Sequence, residues 1–329
     1  MKIQFDEAQQ VVREVFGSAP DNIDWPGGRD RKAFVATVGT RRFVFSRRGG
    51  PERARLEADI LDRLGPAGLA PALIKLHGVW VVQSHVPGLR LSQHLADDIG
   101  REETAISAAR SLARCQQLVG HAGLADRMPS IGMRSGWTGD FLLTAARLAE
   151  ANGWPEPKLD LDRLENFLSS PPRTFVKWDA RPGNALVHAE TGRPVWIDWE
   201  HAGRRVAADD LCWLVCDEWF PADASLEDST IAAFRDAQDQ PIAYPFVRYV
   251  RTFGVFHMLI RADLILRQKG RRGWGNDARQ MRFDLIGNSP ERLSNLCDRG
   301  ERWARLTPDT AVLGDLFSRM HALAAVRLE

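Results

Sequence analysis

Three side chains in the segment 175–200 of this 329-residue chain, FVKWDARPGNALVHAETGRPVWIDWE, are suited to holding a divalent cation and moving a phosphoryl group: Asp179, Asn184 and Asp198. Carboxylate and amide oxygens are the hard ligands magnesium prefers, and a free carboxylate can take a proton from a hydroxyl. The spacing lets them meet. Ala185-Leu186-Val187-His188 and Pro194-Val195-Trp196-Ile197 read as short apolar strands around Glu190-Thr191-Gly192, a turn signal. A hairpin folded about Thr191 sets Asn184 opposite Asp198, where antiparallel partners have Cβ atoms about 4.5–5.5 Å apart. Asp179 lies upstream, in a loop that Pro182 and Gly183 keep from continuing as a helix. Any one of these residues alone more often serves a turn. Their joint spacing favours a reacting site.

Asp179, four residues and Asn184 have the spacing of a kinase catalytic loop. Ile197-Asp198-Trp199-Glu200 follows the hairpin, and Ala208-Asp209-Asp210-Leu211 comes further on. On these residues the chain resembles the aminoglycoside phosphotransferase and choline kinase family of the protein-kinase-like fold. That family usually shows His-Gly-Asp, four residues and Asn, then a hairpin and an apolar-apolar-Asp. Here Lys177-Trp178-Asp179 stands in the first three positions, so Lys177 replaces the His and Trp178 the Gly. The resemblance implies an α+β, two-lobed fold: a small antiparallel-sheet lobe over residues 1–88 and a mostly helical lobe over 89–329. It implies Asp179 as catalytic base, Asn184 and Asp198 as Mg²⁺ ligands, and Lys177 and Asp210 as supports of the loop, with Lys177 pairing to a carboxylate such as Asp198 or Asp210. It is specific from about 175 to 211 and covers most of the chain in order.

The elements that must position these groups can be read upstream. Residues 5–17 carry a helical apolar stripe, and 33–38 and 41–46 read as strands joined by Gly39-Thr40. Gly27 and Gly28 lie ahead of that hairpin, where backbone N–H groups could cover nucleotide phosphates, although Pro-Gly-Gly most often makes a simple turn. Residues 51–64 read as a helix bearing Glu57, which the resemblance would pair with a strand lysine. That lysine is absent: Ser46, Arg47 and Arg48 occupy the region. Side chains alternate along a strand, so if Val44 faces the nucleotide, Ser46 and Arg48 do too and Arg47 points away. Either an arginine replaces the lysine or phosphate handling is impaired. Residues 80–88 read as the last strand and a hinge, with Gln83, Ser84 and Val86 near the base and Val82 expected beside Val44 in its apolar wall.

The remainder reads as helical over 91–118, 207–219, 229–235, 244–268, 290–303 and 310–328. Asp217-Glu218-Trp219 combines carboxylates with an aromatic, a composition that suits a cationic acceptor but also describes an acidic turn over buried rings. With 44 basic and 43 acidic residues the net charge is +1, so no global field points to nucleic acid or an anionic membrane. No run is long and apolar enough for a membrane span, the N-terminal residues lack a secretory core, and the four cysteines form no ligand pattern, so a cytoplasmic setting is expected. The expected activity is transfer from ATP or GTP, with Mg²⁺, to a hydroxyl of an aminoglycoside-, choline- or sugar-like small molecule. A nucleotide-binding module without turnover and a metal-dependent hydrolase are the competing readings.

Overall fold

The structure, a computed structural model, describes residues 3–132 and 136–325. Five strands form the first sheet: β1 (Asn22–Asp24), β2 (Ala33–Val38), β3 (Arg41–Arg47), β4 (Leu73–His77) and β5 (Trp80–Ser84), antiparallel in the order β1-β2-β3-β5-β4. Gly39, with φ 61°, makes the two-residue turn between β2 and β3. Phe34, Phe43, Phe45 and Val82 point to one face and pack on Ala8, Val11 and Val12 of the helix Phe5–Phe16. The helix Pro51–Leu64 starts with Pro at its first position, where the missing N–H costs nothing, and buries Ala54, Glu57, Ile60, Leu61 and Leu64. Val82 therefore does not join Val44 in a base pocket. It pairs with Phe45 and shares that residue's face, whereas Val44 pairs with Gln83.

The chain then crosses to β6 (Gly88–Arg90), which joins β8 (Ala185–His188) and β9 (Pro194–Trp196) in the order β6-β8-β9. Gly88 has φ 149°, and a Cβ there would lie 2.0 Å from the Val187 carbonyl oxygen, so only glycine allows this strand to dock. β7 (Thr174–Val176) pairs with β10 (Gly203–Arg205). The loop 177–184 is thus slung between β7 and β8, and Asp198 between β9 and β10.

The rest is helical and encloses the larger core, including the helices Arg101–His121, Ala208–Val215, Phe246–Arg272 and Pro290–Arg305. The single helix expected over 91–118 is two, Leu91–Ala96 and Arg101–His121, broken where Gly100 adopts φ 68°. The last expected helix is Gly314–Ala325, and the residues beyond it lie outside those described. Short helices at Trp137–Leu142, Thr144–Ala151, Leu161–Ser169 and Asp277–Phe283 are additional to the expectation. No helix among the described residues is long and apolar enough to cross a membrane.

Candidate active site

Strand parity decides where the basic residues after Ser46 go. β3 pairs with both neighbours without a register shift, so Arg47 turns to the outer face, where it meets Glu7 at 3.1 Å and lies over Trp80. Arg48 turns inward. Its guanidinium grips Glu57 at two points, Nη2 donating to Oε1 at 2.6 Å, then reaches Asp198 at 3.2 Å and Glu200 at 3.5 Å. Glu57 is fully buried. Burial pushes its carboxyl up, and the two-point contact with Arg48 opposes that. Arg48 is raised instead, because Glu57, Asp198 and Glu200 outweigh its own burial, so it stays cationic. Arg48, one residue past the end of β3, thus makes the ion pair with Glu57 that the resemblance implies for a strand lysine. Ser46 is buried between Ala33 and Val81.

Asn184 does not sit opposite Asp198. Ala185 pairs with Trp196, Ile197 donates its N–H to the Asn184 carbonyl at 2.9 Å, and Asp198 is one residue beyond. The tighter turn, closed by Gly192 N–H to the His188 carbonyl at 2.9 Å, shifts the register by one. That slip alone would send Asp198 to the wrong face. A φ of 59° at Asp198 breaks the alternation, and its carboxylate meets Arg48. Trp178 and Asp179 also have positive φ, 53° and 55°. Such conformations cost a non-glycine residue of order 1–3 kcal/mol each and persist where surroundings over-determine them. Trp178 occupies a position that glycine would fill without strain. Its indole packs edge-on against Trp137 and Trp213, at 6.1 and 5.4 Å.

The loop is held by two devices. Asp210 accepts the backbone N–H groups of Lys177 and Trp178 at 2.7 and 2.8 Å and is itself fixed by Gln116 Nε2 at 3.0 Å. Burial pushes the Asp210 carboxyl up to about 6 against these hydrogen bonds. Lys177 is fully buried, but it does not pair with a carboxylate group. Its Nζ donates to the Asp198 carbonyl at 2.9 Å and the Asp179 carbonyl at 3.5 Å, tying the loop to the hairpin. Carbonyls suit it because the carboxylates of Asp198 and Asp210 are already engaged elsewhere. Gln116 carried no motif that would have singled it out.

Asn184 Nδ2 donates to Asp179 Oδ2 at 2.8 Å and to the Asp179 carbonyl at 2.9 Å, so its amide oxygen is the atom left for a cation. Burial would raise the Asp198 carboxyl, yet Arg48 and Lys177 hold it below the ordinary range, so it is ionised at neutral pH. An ionised carboxylate with an amide oxygen suits Mg²⁺, which takes one or two protein oxygens and completes its shell with water and phosphate. Among the described residues no group of three or more His, Cys, Asp or Glu could hold a metal alone.

Arg181 extends the site beyond the sequence expectation. Its Nε donates to Asp179 Oδ1 at 2.9 Å, and its Nη2 contacts Asp284 at 3.3 Å. Gly27 and Gly28 lie in the β1–β2 loop, closed by Gly28 N–H to the Trp25 carbonyl at 2.9 Å. Arg31 follows them and donates to the carbonyls of Phe283 and Asp284, each at 3.0 Å. Gln83 is buried, Ser84 accepts from the Ala72 N–H at 3.0 Å, and Val86 is half-buried after β5. Asp217, Glu218 and Trp219 are not an acceptor surface. All three are buried, and Arg261 from the helix Phe246–Arg272 reaches Glu218 at 2.6 Å and Asp217 at 3.4 Å. Their charge is spent internally, with Glu218 held low by Arg261 against its burial.

A family model described as "Phosphotransferase enzyme family" matches residues 25–249. Solved structures share the fold. A macrolide 2'-phosphotransferase from Brachybacterium faecium superposes with a TM-score of 0.53 at 16% identity, covering 80% of this chain and 92% of that one. A choline/ethanolamine kinase family protein from Mesorhizobium loti gives 0.51 at 16%, covering 97% and 98%. An AMP-bound spectinomycin phosphotransferase gives 0.55 at 12%, covering 95% and 98%. No curated protein matches the sequence.

Proposed function

The chain belongs to the phosphotransferase enzyme family, and from that premise we propose that it transfers the γ-phosphate of ATP or GTP to a hydroxyl of a small molecule. The observation that carries this reading is the convergence of both lobes on Asp198. Arg48, set by Glu57, reaches its carboxylate from the sheet side, while Lys177 holds its carbonyl from the catalytic loop.

Asp179 orients the acceptor hydroxyl and takes its proton as the new oxygen–phosphorus bond forms and the bond to the nucleoside diphosphate breaks. Arg48 faces the phosphates with a planar, permanently charged fork in place of a lysine's point charge. Asn184 and Asp198 would hold Mg²⁺, which when bound neutralises phosphate charge and favours an in-line arrangement. Gly27 and Gly28 cover the phosphates, and the segment from Gln83 to Val86 receives the base. The pairing of Arg48 with Glu57 supports transfer over a binding-only module, because the missing lysine was the main reason to expect impaired phosphate handling.

The test is phosphate transfer from ATP and GTP to a panel of hydroxylated small molecules, in the intact chain and in Asp179→Asn. The variant should lose roughly 10²–10⁴-fold in turnover, the range for a positioned general base, while still binding Mg²⁺–nucleotide. Full turnover in Asp179→Asn would refute the assigned role.

A further inference from the structure

The described residues contain four non-glycine positions with positive φ: Trp178, Asp179, Asp198 and Asp284. The first three belong to the site already built. Asp284, at φ 50°, closes the short helix Asp277–Phe283 and belongs there too. Its side chain is 8% exposed, and its Oδ2 meets Arg181, the arginine that also holds Asp179, at 3.3 Å. Its Oδ1 is buried with no hydrogen-bond partner. It lies hard against the catalytic loop: a Cβ added at Gly183 would stand 1.8 Å from that Oδ1.

Two further arginines lie near Asp284. Arg31 donates to the Asp284 carbonyl from the glycine-bearing loop, and Arg90 donates to the Gly183 carbonyl. The charged neighbours with most influence on Arg90 are Asp284, Arg31 and Arg181. Arg181 meets Asp179 and Asp284 directly, Arg31 and Arg90 donate to backbone carbonyls, and Asp198, Asp217 and Glu218 also act on Arg90 or Arg181. Arginine forks of this kind match a tetrahedral or planar oxyanion at two points, whereas Asp284 uses only one oxygen. The flanking chain is anchored to the helical lobe: Trp219 Nε1 donates to the Leu285 carbonyl at 3.2 Å, and the Gly287 N–H donates to Glu218 at 3.0 Å. Asp284 is thus carried by a segment of the helical lobe, whereas Arg48 follows β3 of the sheet lobe.

We propose that Arg31, Arg90 and Arg181 form an oxyanion subsite beside Asp179, filled by Asp284 when no substrate is bound, and that the acceptor carries the phosphate or carboxylate group that displaces it. The acceptor half rests on the transferase reading; the subsite itself does not. An acceptor so held would present a hydroxyl to Asp179 while its anionic group neutralises Arg181. This separates the chain from enzymes whose acceptors are purely cationic.

The probe is inorganic phosphate, titrated calorimetrically into the full chain and into Asp284→Asn, which keeps the size of the side chain and tolerates positive φ. The variant should bind phosphate at least about tenfold more tightly, a difference of about 1.4 kcal/mol, and Asp284→Asn with Arg181→Met should lose that gain. No gain in a folded Asp284→Asn would make Asp284 a structural tie and overturn the subsite. In the unaltered chain, saturating phosphate should speed amide exchange over 283–287; unchanged exchange would also count against displacement. A non-hydrolysable ATP analogue with Mg²⁺ should leave the phosphate bound. One-for-one displacement would assign the subsite to the donor's terminal phosphate and overturn the acceptor half. If the chain binds no Mg²⁺–nucleotide while the phosphate gain stands, the transferase reading fails and the acceptor half with it, but the subsite survives.

Discussion

Arg48 and Arg181 each hold one aspartate of the site, Arg48 from just after β3 and Arg181 from the loop 177–184. Arg48 is locked by Glu57 of its own lobe before it reaches Asp198, and both members of that pair are buried. Arg181 has no such anchor. It is divided between Asp179 and Asp284, two carboxylates 105 positions apart in the sequence (284 − 179). The first arrangement presets a cation where, on the proposed function, the phosphates would sit. The second can be redistributed when something else offers an oxyanion. A rigid charge and a shared one therefore sit within one site, and each suits a different reactant.

The contrast can be broken most severely at Arg48. Arg48→Met leaves Glu57 buried without a counter-charge, with only its backbone hydrogen bond from Trp199, and removing one member of a buried pair costs about 3–5 kcal/mol. Chemical denaturation should register that loss, and an unchanged midpoint would show that Glu57 is not dependent on Arg48. Lys177→Met comes next. The Asp198 carbonyl loses its Lys177 donor while the Asp179 carbonyl keeps Asn184 Nδ2, at a cost of about 1–3 kcal/mol for an unsatisfied buried group, seen in the same denaturation curves. Arg181→Met should cost about 1–3 kcal/mol, less than Arg48→Met because Asp179 stays partly solvated, although buried Asp284 loses its arginine. A loss as large as that of Arg48→Met would erase the distinction between the two arginines.

The smallest effect concerns pH. His257 is buried beneath the loop, packed on Trp213, and burial together with Arg261 and Arg181 pushes its imidazole down to about 3. The unfolded chain takes up this proton near pH 6.5 and the folded chain does not. Stability from His257 is therefore full above pH 6.5 and falls as pH drops toward 3. His257→Phe should remove about 0.7 kcal/mol of the decline between pH 7 and pH 6. Identical slopes in the two proteins would mean that water reaches the ring.

Much of this site was legible before any coordinates. Strand alternation turned Arg48 inward and Arg47 outward only on the condition that Val44 faces the nucleotide, so Arg47 stayed a phosphate-binding candidate until the structure set it on Glu7 and Trp80. The Asp179–Asn184 spacing located the loop, and the family and its two-lobed fold followed from the motif order. The hairpin register did not follow. Counting about Thr191 misplaces the turn by one, and only the left-handed backbone at Asp198 restores its side chain to the site. Val82 was misplaced for a related reason, because the facing of β5 depends on its pairing with β3, which no local pattern specifies. Asp217 and Glu218 looked like surface carboxylates because Arg261, their partner, is more than forty residues downstream. Asp284 was invisible, being one aspartate among many until the fold sets it on Gly183.

The most direct measurement is calorimetric titration of ATP and GTP into the purified chain with and without Mg²⁺, repeated with Asp198→Ala. Binding that requires Mg²⁺ and disappears in the variant is the predicted result, since Arg48 and Lys177 converge on Asp198 and the proposed cation would sit there. Equal binding in the absence of Mg²⁺, or in Asp198→Ala, would contradict the site as built.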